Sequence, residues 1–411
     1  MNAAVGLSLG RNISWTLAGN IVYAACQWGM LVLLARLASP DIVGQYSLAL
    51  AVSAPIYMAL NLQLRGVQAT DAAQEFHFGD YLILRLITTV LALFVLAVLI
   101  KDYAAEVRLV IGLIGISKAF ESISDVLYGR MQARERMDII ARSTLIKGPL
   151  SLLTLLLGFL WGGLPGAAAA LAIGWLLLLL AYDLPNARRL STAQDLQMGG
   201  TSVMWRLFKV ALPLGVVMGL LSLSANIPRY EIESTLGTSA LGVFSALAYL
   251  MVALGVVVSA VGQAASPRLA RHAADDEISA FWQLLQRMLL GGLLIGLAGI
   301  VGAALFGQSI LRLLYGAVYA QDLPLFIWLM VAAAVSYLAA FMGFGMTAAR
   351  RFREQVPLFA LMAGLLWLLS QWLVPEYGLV GAAWATLAAN IFQLMGGGLI
   401  LLLTFRSRRT K

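Results

Sequence analysis

The sequence predicts an all-α polytopic membrane protein with twelve transmembrane helices, arranged as two parallel six-helix repeats around a central cavity. Three observations support this fold class. Of the 411 residues, 61% are hydrophobic and only 12% are charged, too few charges for the surface of a water-soluble domain of this size. Apolar stretches of membrane-spanning length recur along the whole chain. Short motifs of the first half recur, in the same order, in the second half.

The internal repeat is visible in three pairs of motifs. Residues 163–170 read GLPGAAAA and residues 378–385 read GLVGAAWA, so that most positions of the two octets are identical. Two further pairs of similar motifs begin at Gly44 and Gly242, and at Gly129 and Gly345. Because duplicated membrane units are typical of transporters, the repeat favours a transport function.

Twelve apolar segments are each close to the ~20 residues that a helix needs to cross a bilayer. They cover residues 13–35, 42–64, 82–100, 106–128, 139–161, 165–182, 207–228, 239–263, 284–306, 323–347, 357–374 and 379–403. The longest connection follows the sixth segment. We therefore predict an N-terminal lobe at residues 1–183, a cytoplasmic inter-lobe linker at 184–205 and a C-terminal lobe at 206–411.

The basic residues predict the orientation of the chain. Of the 28 Lys and Arg residues, twenty-two fall on one side of the predicted bilayer and five on the other, and Lys118 lies within a span. Since short cytoplasmic loops carry an excess of Lys and Arg, both termini are predicted to be cytoplasmic. The net charge of +8 is then a topology signal, and no nucleic-acid partner is expected.

The fourth span carries three ionisable residues at helical spacing. Lys118, Glu121 and Asp125 follow one another at intervals of three and four, so they share one helix face. Each costs about 2.5–3.5 kcal/mol at bilayer depth on insertion scales, which calls for a structural or functional reason. One interpretation is a neutralised pair packed between helices. The other is a cavity wall, on which Glu121 and Asp125 are the predicted ion-coupling residues for H⁺ or Na⁺.

Polar side chains at helical spacing also line other spans, and cations lie near the ends of two of them. The alternatives are hydrogen bonds between helices, worth about 0.6 kcal/mol each, and a polar cavity that binds substrate. For Lys147, extension back to the lipid headgroups is a further alternative. The predicted substrate-binding residues are Asn20, Gln27, Asn61, Arg65, Lys118, Lys147 and Asn226.

The residues of several enzyme and metal-site classes are missing from the sequence. No glycine-rich nucleotide-binding loop with Lys-Ser or Lys-Thr occurs, so ion-gradient coupling is favoured over an intrinsic ATPase. His77 and His272 lie in loops without metal-ligand spacing, and Cys26 is the single cysteine, so no intrachain disulfide can form. No catalytic residue, no metal and no cofactor is predicted, and the chain is not expected to be an enzyme.

Four segments of the first 80 residues resemble a known family. They are residues 11–16 (RNISWT), 34–40 (LARLASP), 43–47 (VGQYS) and 61–65 (NLQLR). They resemble bacterial oligosaccharide flippases, the polysaccharide-biosynthesis membrane proteins of the multidrug/oligosaccharidyl-lipid/polysaccharide exporter superfamily. The twelve-span layout extends the resemblance to the whole chain.

The resemblance implies the substrate, the partners and the location. It implies a flippase of the bacterial inner membrane, which moves a polyprenyl-pyrophosphate-linked oligosaccharide to the periplasmic leaflet by alternating access, beside a polysaccharide polymerase and glycosyltransferases. The alternative is an ion-coupled drug exporter of the multidrug and toxic-compound extrusion (MATE) type. A peptidoglycan-precursor flippase is expected to carry two further spans. A transferase of lipid-linked sugars needs a cluster of catalytic carboxylates or histidines, which is not seen.

Overall fold

The computed structural model describes residues 9–71 and 75–409 of the chain, and within these residues every regular element is helical. The α-helices, in chain order, are α1 (Leu9–Leu37), α2 (Pro40–Leu60), α3 (Leu64–Thr70), α4 (Phe78–Leu99), α5 (Ala105–Ala133), α6 (Met137–Leu178), α7 (Leu184–Arg189), α8 (Gly200–Ala274), α9 (Ile278–Leu314), α10 (Leu323–Ala348) and α11 (Phe352–Arg409). A π-helical turn, Leu179–Asp183, joins α6 to α7, and a 3₁₀ turn, Tyr319–Asp322, precedes α10.

Three of the long helices each contain two of the predicted spans. Non-helical backbone interrupts α6 at Gly162 and Gly163, α8 at Gly237 and α11 at Gly378. Within residues 9–71 and 75–409, eight helical stretches can cross a membrane by length and composition, and three of them are these double spans. Helix α5 carries too many charges to be among the eight. It corresponds to the predicted span at 106–128 and brings the number of spans to twelve.

The two repeated octets form equivalent turns between paired spans. Their first glycines, Gly163 and Gly378, have φ angles of 58° and 59°, a left-handed region that side chains with a Cβ rarely enter. At the fourth position, a Cβ added to Gly166 or Gly381 would overlap the backbone of the preceding half of the helix. The glycines recur because both turns need the same backbone conformation and the same close approach.

The chain divides into two compact units. Unit 1 comprises the residues up to Leu33 together with Gln45–Ser222, and unit 2 comprises Leu34–Gly44 together with the residues from Leu223 onward. In this division the segment 184–205 belongs to unit 1. The predicted lobe limits at 183 and 206 stay a prediction, and residues 1–8, 410 and 411 lie outside the described part of the chain.

In unit 1, the segment that precedes α8 is fastened to the beginning of α4. The backbone N–H of Gly79 donates to the carbonyl oxygen of Asp195 at 3.0 Å, and the N–H of Gly199 donates to Oδ1 of Asp80 at 2.8 Å. A Cβ on Gly79 would lie about 2.5 Å from the carbonyl oxygen of Gln197, so only glycine permits this approach. The segment predicted as a linker is thus bound to α4 at Asp195 and Gly199.

Unit 2 is held by an aromatic and aliphatic core between α9, α10 and α11. The side chains of Phe281, Leu285, Phe341 and Leu401 are at most 1% exposed and pack in one cluster. Arg36 donates from Nε to the carbonyl oxygen of Leu314 at 3.0 Å, which places a cation at the C-terminal end of α9, where the helix dipole favours it.

Candidate functional site

One carboxylate in the middle of α5 is the centre of an ion cluster, which we call the Glu121 cluster. Oε2 of Glu121 accepts from Nζ of Lys118 at 2.7 Å, and Oε1 accepts from Nζ of Lys147 at 3.0 Å and from the hydroxyl of Tyr23 at 2.7 Å. The Nζ of Lys147 also lies 4.0 Å from the ring centroid of Trp175. With Lys118, Lys147 and Glu121 ionised, the cluster carries one net positive charge.

Four helical segments contribute to the Glu121 cluster. Lys118 and Glu121 lie one turn apart on α5, Tyr23 comes from α1, and Lys147 and Trp175 come from the two halves of α6. Trp175 is oriented by its indole N–H, which donates to Oγ of Ser151 at 2.8 Å. The ring therefore presents a face to Lys147, and a desolvated cation over a Trp face is stabilised by about 2 kcal/mol.

Small residues let α1 approach α6 closely enough for Tyr23 to reach Glu121. A Cβ on Gly148 would lie 3.1 Å from Sγ of Cys26, and a Cβ on Gly19 would overlap the hydroxyl of Thr144. Both glycines lie within predicted spans, and small residues at helix contacts are the usual means of close packing between membrane helices.

A second ion cluster, the Asp125 cluster, lies one turn further along α5. Nη2 of Arg85 donates to Oδ2 of Asp125 at 3.1 Å, and Nη1 of Arg65 lies 3.7 Å from Oδ1. Arg85 also donates from Nη1 to Oδ1 of Asn61. The side chain of Arg85 is 0% exposed, whereas those of Arg65 and Asp125 are 33% and 30% exposed. This cluster, too, carries one net positive charge when fully ionised.

The structure brings together six of the nine predicted substrate-binding and ion-coupling residues in these two clusters, three in each. The members are Lys118, Glu121 and Lys147, and Asn61, Arg65 and Asp125. The bonded pairs agree with both interpretations of the sequence, since a helix contact and a cavity wall each require the carboxylates to be paired. Their roles in binding and coupling stay predictions.

The other predicted residues lie apart from the clusters. Asn20 is exposed on α1, and Nε2 of Gln27 is buried and has no hydrogen-bond partner among the residues that the structure describes. Asn226 belongs to unit 2, where its Oδ1 accepts from Nη1 of Arg229 at 2.9 Å.

Three members of the clusters were not among the predicted site residues, namely Tyr23, Arg85 and Trp175. Arg85 was counted only toward the charge asymmetry, although an arginine four residues into an apolar run is a signal of a buried partner. Trp175 carried no signal, because one aromatic residue in an apolar helix is ordinary. In the described residues, no group of three or more His, Cys, Asp and Glu side chains is placed to hold a metal ion.

Solved structures similar to this chain are membrane transporters. One is described as the lipid II flippase MurJ in an inward closed conformation, with 12% identity, a TM-score of 0.75, and coverage of 96% of this chain and 89% of that chain. Another is an inward-facing multidrug resistance MATE family transporter, with 15% identity, a TM-score of 0.65, and coverage of 97% and 96%. These similarities confirm the predicted all-α twelve-helix membrane fold.

A curated relative and a family model agree with each other. The capsular polysaccharide biosynthesis protein CapF of Staphylococcus aureus is 25% identical over 376 residues, which are 91% of this chain and 94% of the relative. The family model described as polysaccharide biosynthesis protein matches residues 9–273, more than half of the chain. This match confirms the family resemblance carried by the four N-terminal segments: the chain belongs to the polysaccharide biosynthesis protein family of multi-span membrane proteins.

Proposed function

We propose that this protein is a flippase, which moves a polyprenyl-pyrophosphate-linked oligosaccharide across the bacterial inner membrane, from the cytoplasmic to the periplasmic leaflet. The observation that carries the proposal is the pair of net-positive ion clusters at bilayer depth, in a family named for polysaccharide biosynthesis. An inert helix contact needs one cation for each carboxylate, and each cluster here holds two. The surplus charge suits an anion that arrives from outside the chain, such as a pyrophosphate.

The substrate contacts follow from the chemistry of its two parts. The pyrophosphate competes with Glu121 and Asp125 for Lys118, Lys147 and Arg65, because Lys and Arg bind phosphate oxygens through the same donors that they offer to carboxylates. The sugar needs neutral hydrogen-bonding partners, and Asn20, Gln27, Asn61 and Asn226 are the side chains that we assign to it. The polyprenyl tail stays in the lipid.

Ion coupling follows from the same competition. When the pyrophosphate takes Lys118 and Lys147, Glu121 loses its cationic partners and becomes a buried, unpaired carboxylate. Such a group is stabilised by binding a proton or a sodium ion. When Arg65 is withdrawn, Asp125 loses one of its two cations and keeps Arg85, so binding of an ion at Asp125 becomes more favourable to a smaller extent. Substrate entry and ion uptake are thereby linked, and release of the ion restores the original pairs.

The membrane arrangement of the proposal is alternating access, with both termini cytoplasmic. Access to the substrate alternates between the two sides of the membrane, as the internal duplication suggests. A glycosyltransferase supplies the lipid-linked unit and a polysaccharide polymerase consumes it. We propose no catalytic step for the chain itself, since its family and the solved structures similar to it are transporters and flippases rather than enzymes.

The second candidate is an ion-coupled multidrug exporter, which the fold similarity to MATE transporters favours. Cationic drugs are bound by acidic groups that are free of their own cations. Glu121 and Asp125 are both paired in this structure, so the flippase is the better match. An integral-membrane transferase is a more distant third.

The test is translocation by the purified protein in vesicles. The probe is a fluorescent short-chain polyprenyl-pyrophosphate oligosaccharide, and the assay measures its loss from the outer leaflet. We expect Lys118→Ala to lower the rate about tenfold to hundredfold, because a charged hydrogen bond contributes about 1.5–3 kcal/mol. Lys101→Ala is the matched control, since Lys101 is exposed in the loop after α4. Equal rates for both variants, or transport of a cationic dye in place of the lipid, contradict the flippase.

A further inference from the structure

Asp183 is a fully buried carboxyl group whose hydrogen-bond donors are all hydroxyls. Its side chain is 0% exposed. Oδ1 accepts from Oγ of Ser143 at 2.6 Å, and Oδ2 accepts from Oγ of Ser124 at 2.7 Å and from the hydroxyl of Tyr128 at 3.4 Å. Among the described residues, it forms an ion pair with no Lys, Arg or His.

Local structure builds this group of four residues, which we call the Asp183 cage. Ser124 and Tyr128 are four apart on α5 and so share a face, and Ser143 lies on α6 opposite them. Asp183 ends the π-helical turn Leu179–Asp183. A π-helical turn holds one residue more than an α-helical turn and is frequent at functional sites. Here it turns the carboxyl group inward, toward α5 and the beginning of α6.

The hydroxyls of the cage can serve both protonation states of the carboxyl group. Each Ser and Tyr hydroxyl has one donor and free lone pairs, and its hydrogen rotates to suit its neighbour. The hydroxyls of Tyr128 and Ser143, 2.7 Å apart, can exchange donor and acceptor roles. When Asp183 is ionised, the hydroxyls donate to it, and when it is protonated, one of them turns to accept.

Glu121 and Asp125 have partners of a different kind. Lys118 and Lys147 bond to Glu121, and the guanidinium of Arg85 bonds to Asp125. Lys and Arg have no acceptor, so a protonated carboxyl group beside them has no partner for its hydrogen among them. Glu121 also has the hydroxyl of Tyr23 beside it, but the two lysines bonded to Glu121 favour its charged form. Asp183 has hydroxyl partners alone, and these accommodate a bound proton.

The spacing of the oxygens favours a proton over a metal ion. The Asp183 oxygens lie 2.6 Å and 2.7 Å from those of Ser143 and Ser124, distances of direct O–H···O hydrogen bonds. A cation bound between such oxygens lies at about 2.3–2.6 Å from each of them, which forces them further apart. At these distances, a hydrogen atom fits between the Asp183 oxygens and the two serine oxygens, and a metal ion does not.

We propose that Asp183 is a proton-binding site of unit 1. The ionisable groups that act on it electrostatically are Tyr128 from α5, Lys147 from α6 and Tyr182 from its own turn. The arginines of α7, Arg188 and Arg189, are exposed at the far end of that helix.

The cage is connected to both ion clusters. Ser143 lies one helical turn before Lys147, the partner of Glu121. The ring of Tyr128 lies 5.7 Å from the guanidinium carbon of Arg65, the partner of Asp125. A proton on Asp183 removes a negative charge that attracts Lys147, and so alters how firmly that lysine is held for an anion. This link to transport rests on the proposed flippase function, whereas proton binding itself does not.

The test is infrared titration of the purified full-length protein in detergent, without substrate. A protonated buried carboxyl group has its own carbonyl stretching band, which disappears as the group ionises. We expect the wild type to show such a band, Glu121→Gln, Asp125→Asn and the exposed-loop control Asp102→Asn to retain it, and Asp183→Asn to lose it. We also expect proton uptake, measured over the pH range in which the band disappears, to fall by about one proton per chain in Asp183→Asn.

A second variant separates proton binding from a fault in folding. Ser143→Ala keeps the carboxyl group and removes one donor to its charged form, so the band persists and its midpoint moves to higher pH. The proposal is overturned if the band survives in Asp183→Asn. It is also overturned if the wild type shows no such band at any pH at which the protein stays folded. Loss of the band on addition of NaCl at constant pH overturns it in favour of a cation site. None of these outcomes depends on which molecule the protein transports.

Discussion

Lys147 donates to Glu121 across 3.0 Å from a side chain that is 4% exposed, so the ion pair is held from α6 to α5 in the interior of unit 1. The same ammonium group lies over the ring of Trp175, and Lys118 bonds to the other oxygen of Glu121. Glu121 is thus the shared counter-ion of two lysines, and each lysine depends on the same carboxylate. This asymmetry predicts which substitution is the more damaging.

We expect Glu121→Gln to destabilise unit 1 more than Lys118→Met does. Removing Glu121 leaves two neighbouring cations without a counter-ion, and breaking a buried pair in this way costs about 3–5 kcal/mol. Removing Lys118 leaves Glu121 paired with Lys147. Thermal unfolding in detergent measures the difference. The double variant Glu121→Gln/Lys147→Met restores part of the loss, and equal melting temperatures for both single variants contradict the asymmetry.

We expect replacement of Arg85 by lysine to destabilise the protein more than the same replacement of Arg65, which serves as the matched control. The two nitrogens of the Arg85 fork donate to two acceptors, Asp125 and Asn61, which a lysine ammonium cannot reproduce with the same geometry. We expect Arg85→Lys to cost about 2–4 kcal/mol, as for loss of a buried charged hydrogen bond. Arg65→Lys changes a partly exposed pair at 3.7 Å and a hydrogen bond from Nε to Gln132 at 2.9 Å. We expect a smaller cost, about 1 kcal/mol, because Arg65 is partly exposed and water can replace these partners. The reverse order of unfolding temperatures contradicts the assignment of Arg85 as the buried partner.

The fold was largely predictable because the features that determine it are encoded by residues close together in the sequence. Span lengths follow from apolar runs, and the octet glycines mark turns that need left-handed backbone at Gly163 and Gly378. The spacing of Lys118 and Glu121 on one helix face also follows from the sequence alone. Each of these features depends on residues close together in the chain.

Contacts between distant segments were beyond sequence reasoning. Asp183 was predicted only as the last residue of the N-terminal lobe and had no assigned role, because a charged residue after an apolar run is ordinarily solvated. Its burial depends on a π-helical turn and on Ser124 and Tyr128, which lie more than fifty residues away. The binding of segment 184–205 to α4 was missed for the same reason, since a polar segment carries no periodic signal of what it packs against.

The second pair of repeated motifs predicts a strict requirement for glycine. In unit 2, a Cβ on Gly44 would overlap the carbonyl oxygen of Thr238, and a Cβ on Gly242 would overlap that of Pro40. Backbone atoms cannot turn aside as a side chain does, so we expect Gly44→Ala and Gly242→Ala each to cost at least about 1–3 kcal/mol. Gly302→Ala is the control, because nothing lies within 4 Å of its added Cβ. The fraction of monodisperse protein after extraction measures the effect, and an equal yield for all three variants contradicts it.

Asp195 predicts an acid-dependent weakening of the segment that precedes α8. Burial alone would raise the pKa of Asp195, but the backbone N–H and hydroxyl of Thr192, followed by Arg130 and Arg134, hold that pKa below its ordinary value. The donor distances from Thr192 are 2.7 Å and 2.8 Å. A carboxyl group with a lowered folded-state pKa stabilises the fold fully above its unfolded pKa of about 3.9, and this contribution is lost as the pH falls toward the folded value.

The melting temperature of the wild type should therefore exceed that of Asp195→Asn at neutral pH, and the difference should shrink as the pH falls below about 4. Asp275→Asn is the matched control, since Asp275 is exposed in the loop between α8 and α9, and we expect no such trend for it. Limited proteolysis across residues 184–205 reports the same change locally, because release of Asp195 from Arg130 frees the backbone for cleavage. If the difference in melting temperature stays constant as the pH is lowered, the charge of Asp195 does not stabilise the attachment of this segment. The hydrogen bond between Gly199 and Asp80 would then be the contact that attaches it.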